Sequence, residues 1–472
     1  MVREYFAKYK NVPSEETLIR QVKKSIDRSI IEYDMSRGTP YWDLHAKIQS
    51  VMRSSQSRYP PSMGLPGLRL LVAQYLREKY GFDAHPYNVL ITSSGMSALS
   101  SVLSACNEDS THSGRVLIPT PAWSDFANVA KLAARFDVDF RPLRKYSEDM
   151  IPDSKTNLVG DELFDHDFDE ILKSMKNVRA VVLSLPGNPT GTIINLTRLK
   201  ILHDECINQT ANLVLDLTYD SMVFDKKSND DNRIQFKYGP SDTLLDSSKI
   251  ILVGSFSKTY GMTGARIGWV FCNDTDALNA IFHLHNAFNM CANDVGQRMA
   301  IMAIMQNWPD YFKNFNCNSE LFEVVETPLD KLSDEQLWFT YEDIPRDKQD
   351  DMVESLHRKF DRGFSWFESK RKKLEKRRNA LYEKLRETGD LLPVKSEGSY
   401  YMWVGSKRIA EMRKDSLYFA SQFCEKTGIL GVPGEAFDEE NRAESKNYIR
   451  ICFGRLSDSL FNASLDRIKE WS

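Results

Sequence analysis

Short apolar runs recur along residues 88 to 272: Val89 to Thr92, Val116 to Pro119, Ala180 to Leu185, Leu213 to Leu217, Ile250 to Val253 and Ile267 to Phe271. Unbroken runs of this length suit strands buried on both faces, and the longer polar-apolar segments between them read as helices. Asp165 to Lys176 is one such segment, with an acidic first turn and a basic end that complement the two poles of a helix dipole. The alternation predicts an α/β domain around a mostly parallel sheet, with Ile267 to Phe271 among its parallel strands. After Gln297 the pattern changes. Residues from about 306 to 365 are aromatic and charged together (NWPDYFKNF, LWFTYEDIPRDKQDD) and show no strand-helix alternation. A long helical stretch, Ser365 to Thr388, follows, then the apolar pieces Ser399 to Val404, Ile429 to Pro433 and Tyr448 to Phe453. The chain therefore divides into a large domain over 46–305, an inserted segment of unassigned role over 306–365, and a smaller α/β domain made by 1–45 and 366–472.

Composition adds exclusions. With 62 Lys+Arg against 66 Asp+Glu in 472 residues, the net charge of −4 offers no concentrated basic face for nucleic acid or an acidic membrane. The most cationic stretch, Lys370 to Arg378, reads as one solvated helix face. No apolar stretch of about 18 residues is present to cross a membrane, and Met1 to Lys10 lacks the apolar run of a signal peptide, so a soluble, cytoplasmic protein is expected. The 7 cysteines are odd in number, scattered and without a CxxC pair, which suggests neither a disulfide framework nor a metal site.

In an open α/β sheet, ligands sit beyond the carboxyl ends of the strands, so chemistry is expected in the loops after the apolar runs. Those loops hold Ser94-Gly95, Pro121-Ala122-Trp123, Gly187-Asn188-Pro189-Thr190-Gly191, Asp216 to Tyr219, and Ser255-Phe256-Ser257-Lys258. The last opens GSFSKTYGMTGARIGWV, Gly254 to Val270, in which a single lysine leaves a buried strand among hydroxyls and glycines, with Arg266 further along. A lysine placed there is a candidate for a depressed pKa and imine chemistry, and Ser255, Ser257 and Arg266 could hold an anion such as phosphate. Taken alone, the same residues fit an ordinary surface loop.

This segment, together with PGNPTGT (Pro186 to Thr192), DLTYD (Asp216 to Asp220) and RICFG (Arg450 to Gly454), resembles the fold-type-I enzymes that depend on pyridoxal phosphate, specifically the class I/II aminotransferases. The likeness runs from Gly38 to about residue 300 and again from about 366 to 455, in the family's order. It implies a large domain with a mostly parallel sheet flanked by helices, a smaller α/β domain, and pyridoxal 5'-phosphate as cofactor. By the same resemblance Lys258 would form the Schiff base and carry the proton, Asp216 would pair with the pyridine nitrogen, and Asn188 and Tyr219 would donate to the ring hydroxyl oxygen. Trp123 would stack on the ring. The phosphate would meet Ser94, Gly95 and Met96 at a helix N-terminus, with Met96 giving only its backbone amide, assisted by Ser255, Ser257 and Arg266.

For the substrate, Arg450 would anchor the α-carboxylate, helped by Asn188, and Gly38 in SRGTP would permit close backbone approach. RYPPSMGLPGLRLLVAQYL, beginning at Arg58, matches the family's dimer-forming stretch, which implies a homodimer in which Tyr59 reaches the phosphate bound by the neighbouring subunit. The activity implied is transfer of an amino group between an α-amino acid and a 2-keto acid. The alternative is β- or γ-elimination or replacement on the same scaffold, as in aminocyclopropane carboxylate synthase. A regulator with a fused DNA-binding domain is not expected, because Gly38 and Tyr59 would already belong to the active site. The side chain accepted is not legible, and the segment over 306–365 reads equally as a substrate-specific lid or a surface elaboration.

Overall fold

The computed structural model describes residues 15–42, 59–80, 82–107, 114–142, 168–194, 196–224, 249–306, 364–438 and 443–471. After a short strand β1 (Tyr33–Asp34) come β2 (Val89–Thr92), β3 (Arg115–Thr120), β4 (Asp137–Pro142), β5 (Val178–Ser184), β6 (Asn212–Asp216), β7 (Ile250–Ser255) and β8 (Gly268–Cys272). Strands β2 to β8 form one seven-stranded sheet in the order β2-β8-β7-β6-β5-β3-β4. The pairs β3/β4, β3/β5, β5/β6 and β6/β7 are parallel.

Three features depart from the sequence reading, the first being that Lys370 to Arg378 is not one solvated face, since Arg371, Arg377 and Arg378 are buried. Strand β8 runs antiparallel to both β2 and β7, so the run Ile267 to Phe271 is not a parallel strand. The link from Phe256 to Ile267 contains no helix, and a parallel neighbour needs a crossover, commonly helical, whereas a short loop returns the chain antiparallel. Strand β4 lacked the expected apolar run. Its DVDFRP pattern alternates because it is an edge strand paired only with β3. Its Asp139 binds Arg115 at 2.5 Å and Arg141 at 2.8 Å.

Alternate residues of the central strands enter opposite layers, as the two-residue period requires. Leu213, Leu215, Ile250 and Leu252 join one buried cluster, and Val214, Ile251 and Val253 join the other. Both faces of the sheet are therefore buried against apolar layers, and the loops begin where these strands end.

The chain then runs through the helix Phe364–Glu387 to β9 (Leu391–Pro393), β10 (Tyr401–Ser406), β11 (Ile429–Leu430), β12 (Val432–Pro433) and β13 (Tyr448–Cys452). A four-stranded antiparallel sheet, β12-β13-β10-β9, packs around a third cluster that includes Trp403, Phe419, Phe423 and Trp471. The N-terminal segment belongs to this unit: β1 pairs with β11, and the helix Glu15–Ser25 buries Leu18, Ile19 and Val22. Those three positions line one face of the helix, which packs against the helix Ser416–Thr427, with Ser25 and Ser421 hydroxyls 2.8 Å apart. Residues 307–363, nearly all of the expected insert, lie outside the described residues, as do Asp165 to Asp167 of the expected helix, which is helical over Phe168–Lys173.

Candidate active site

The loops after β2, β5, β6 and β7 converge on a cavity of about 310 Å³. Its walls include Gly38, Gly95, Met96, Trp123, Asn188, Asp216, Tyr219, Ser255, Ser257, Lys258 and Arg266, so most of the residues singled out in the sequence meet at one place. Three do not line it: Ser94, Tyr59 and Arg450. The Ser94 hydroxyl instead accepts the Ser97 N–H at 3.0 Å, capping the helix Gly95–Cys106. Tyr59 is 80% exposed on the surface of the chain.

Part of the cavity wall suits an anion. The helix Gly95–Cys106 aims its N-terminus there, where free N–H groups and the helix dipole favour negative charge. The Ser257 N–H and hydroxyl both meet Ser255 Oγ, at 3.1 and 2.9 Å. The turn is held from behind by His285, whose Nε2 accepts the Ser93 N–H at 3.2 Å. Burial drives the His285 pKa down to about 4, so this nitrogen keeps its lone pair at neutral pH. Gly268 allows the close approach of β8: a Cβ there would stand 2.5 Å from Gly95 N. Arg266 is exposed, with a left-handed φ of 54°, and its backbone oxygen and that of Ala265 accept from Asn293 Nδ2 at 3.5 and 2.9 Å.

The cavity also takes the carboxyl of Asp216, at the last position of β6 and only 6% exposed. Its Oδ1 accepts the Thr218 N–H at 3.0 Å and the Thr218 hydroxyl at 2.5 Å. Burial nevertheless outweighs those bonds and pushes its pKa up to about 6. A carboxylate desolvated to this degree would be relieved by a cationic partner.

Lys258 Nζ donates to Gly38 O at 2.6 Å, and the Tyr400 hydroxyl donates to the same oxygen at 3.0 Å. Burial pulls the lysine below its ordinary value, opposed by the Glu15 carboxylate, a state that favours a nucleophilic amine. Tyr219 and Tyr401 share a hydrogen bond of 2.7 Å. Gly38 has no room for a side chain, since a Cβ there would lie 1.9 Å from the Tyr401 hydroxyl. Trp123 forms an edge-to-face pair with Phe126 at 5.5 Å.

Arg450, on β13, is fully buried. It donates to Asn188 Oδ1 at 2.9 Å and Ser36 O at 2.8 Å, and binds both oxygens of Glu15. Its guanidinium lies over the Tyr401 ring at 4.3 Å and the Phe437 ring at 4.8 Å. Burial opposes its charge, but Glu15 more than compensates and raises its pKa. The cavity also takes Glu15, Thr39, Leu99, Ser184, Thr218, Thr263 and Tyr401, none of which sequence reasoning assigned a role in the site. Tyr401 carried a signal of sorts, standing inside the apolar piece Ser399 to Val404; Glu15 carried none.

One cavity thus gathers a helix N-terminus with two serines, a buried carboxyl and a buried lysine amine. Among the described residues no cluster of His, Cys, Asp and Glu could hold a metal ion, and no helix is long and apolar enough to cross a membrane. The family model for aminotransferase class I and II matches residues 30–309 and 351–468. A probable aspartate aminotransferase of Methanocaldococcus jannaschii is 27% identical over 57% of this chain and 65% of its own length. An aspartate aminotransferase of Pyrococcus horikoshii is 22% identical over 99% of this chain and 97% of its own length. Among solved structures, Bna3p from Saccharomyces cerevisiae superimposes with a TM-score of 0.75 at 16% identity, covering 99% of this chain and 98% of that one, a likeness of fold.

Proposed function

The chain belongs to the class I and II aminotransferase family, an enzyme family that moves amino groups, and from that premise we propose that the cavity holds pyridoxal 5'-phosphate and passes an amino group from an α-amino acid to a 2-keto acid. The observation that supports the residue assignments is that one cavity collects the amine of Lys258, the helix N-terminus at Gly95 with Ser255 and Ser257, and the buried carboxyl of Asp216. When bound, the cofactor supplies an aldehyde carbon that condenses with amines and a ring that withdraws electrons from the carbon so attached.

Each side chain then has a task. Gly95 and Met96 offer backbone N–H groups to the phosphate, with the hydroxyls of Ser255 and Ser257 and the guanidinium of Arg266 beside them. Ser94 acts at one remove, by capping that helix. Asp216 keeps a proton on the ring nitrogen opposite, and the hydrogen bonds from Thr218 keep its carboxyl aimed. Asn188 has its Oδ1 engaged by Arg450, which leaves Nδ2 to donate to the ring hydroxyl oxygen alongside Tyr219. Trp123 covers the ring face. Lys258 Nζ would hold the cofactor and, once freed, would serve as the base that takes the substrate's α proton. The guanidinium of Arg450 holds the substrate carboxylate, and bare backbone at Gly38 lets the substrate lie close.

The aminotransferase names of the relatives favour transfer over elimination or replacement. We further propose a soluble, cytoplasmic homodimer in which Tyr59 of each subunit reaches the phosphate bound by the other. The exposure of Tyr59 at 80% leaves its side chain accessible to a second subunit. The division into a large and a small domain, with the segment 306–365 between them, stays a proposal on the same footing. The test is to purify the protein with its cofactor, record the visible absorbance, and add L-amino acids singly in the absence of a keto acid. Stoichiometric keto-acid release with loss of that absorbance is the expected result. Ammonia released without net amination of the cofactor would overturn transfer, and full turnover by Lys258→Ala would overturn the role of Lys258.

A further inference from the structure

The residue read above as the anchor for the substrate carboxylate already grips a carboxylate. Arg450 Nη1 donates to Glu15 Oε1 at 2.7 Å and Nη2 to Glu15 Oε2 at 2.6 Å, the two-pronged geometry that matches a carboxylate to a guanidinium. The other terminal hydrogens are taken by Asn188 Oδ1 and Ser36 O. Only Nε is left without a hydrogen-bond partner among the described residues, and it is buried and can give a single bond. Glu15 faces the cavity and Arg450 does not. The glutamate therefore stands between the substrate and its anchor.

We propose that Glu15 is a built-in competitor: its carboxylate fills the seat of the substrate carboxylate and must swing aside before an amino acid or keto acid can bind. This inference rests on the reading of Arg450 as the anchor. Two carboxylates cannot share one pair of guanidinium prongs, so binding is an exchange. The exchange needs only a side-chain rotation. The helix Glu15–Ser25 is fixed to the small domain by Leu18, Ile19 and Val22 and by the contact between Ser25 and Ser421, and β13 carries Arg450 in that same domain. Glu15 is the first residue of the helix, and its side chain is 21% exposed, which gives the departing carboxylate a route to water. Its neighbour Glu16 is occupied elsewhere, with Arg20 at 3.2 Å and Arg37 at 3.1 Å, and does not compete. In the resting state the glutamate also spares the site a bare buried cation, which is costly.

An internal competitor raises the apparent dissociation constant by the inverse of the fraction of time that the seat is open; with the seat open one time in ten, the penalty is about tenfold. The probe is propionate, which has a carboxylate and no amine, titrated calorimetrically into the cofactor-loaded enzyme. n-Propylamine, with the amine and no carboxylate, is the control. Glu15→Gln and Glu15→Ala are expected to bind propionate about tenfold more tightly than the unaltered enzyme and n-propylamine equally well, with KM for an accepted amino acid falling in parallel. Arg450→Lys is expected to lose propionate whatever stands at position 15. If both Glu15 variants fold but bind propionate no better, while Arg450→Lys still loses it, the competitor is overturned and the anchor stands. If Arg450→Lys keeps full propionate affinity, the anchor reading falls and this inference falls with it. Should either Glu15 variant fail to fold, Glu15→Asp, one methylene too short to reach both prongs, carries the same expectation.

Discussion

Replacing Asp216 by Asn isolates the cost of burying a charge in a site that awaits a cation. The side chain keeps its shape and can still accept from Thr218, but it no longer ionises. In the native chain the carboxyl titrates at about 6 against an ordinary 3.8, because burial outweighs the bonds from Thr218. The folded state thus binds the proton more tightly than the unfolded state, and stability conferred by the protonated form is lost as pH rises through this window. A shift of this size corresponds to ~3 kcal/mol at pH values above the folded pKa, since each unit is about 1.4 kcal/mol. In the cofactor-free protein, the stability of Asp216→Asn relative to wild type should therefore increase by ~2–3 kcal/mol between about pH 4 and pH 8, with the change concentrated between the two pKa values. Urea unfolding of both proteins across that range measures it. With pyridoxal phosphate added the sign should reverse at pH 8, because the carboxylate then has its cation and the amide does not. A pH-independent difference in the cofactor-free proteins would refute the claim that Asp216 is held at a cost; an unreversed sign with cofactor would refute its pairing with the ring nitrogen.

Two further substitutions test the scaffold around the site. Gly38→Ala places a methyl 1.9 Å from the Tyr401 hydroxyl, so either that ring or the backbone oxygen that Lys258 binds must move. We expect kcat/KM to fall at least ~tenfold, about 1.4 kcal/mol of transition-state stabilisation, with the melting temperature changed by only a few degrees; an unchanged kcat/KM counts against the contact. Asp220→Ala removes the acceptor of the Tyr80 hydroxyl at 2.5 Å and the Lys79 ammonium at 3.0 Å, and also that of Tyr75. Leaving that lysine without its carboxylate should cost about 3 kcal/mol of unfolding free energy, and a loss below about 1 kcal/mol would show that the pair is solvated after all.

The strands of the large sheet were legible because burial on both faces leaves an unbroken apolar signature, as in Leu213 to Leu217, and strand ends in such sheets are where ligands gather. That placed Asp216, Asn188 and Lys258 in neighbouring loops before any coordinates. Direction was harder. The run before Phe271 looks alike whether its strand is parallel or antiparallel, and only the absence of a helix before it tells them apart. Strand β4 hid because an edge position tolerates Asp139 and Arg141. Glu15 hid for a different reason: it meets Arg450 from 435 positions away, and neither local period nor motif encodes such a pairing. Ser94 opens the helix N-terminus that the sequence offers to phosphate, and its hydroxyl accepts the Ser97 N–H as the cap, a role that the run of small residues does not announce.

Asn188 touches both halves of the molecule, since it follows a strand of the seven-stranded sheet and accepts from an arginine of the four-stranded one. Any tilt of the smaller body against the larger would strain this amide together with the Tyr219–Tyr401 and Ile193–Glu397 bonds that cross the same seam, so substitutions along that seam should tune catalysis without touching a ligand.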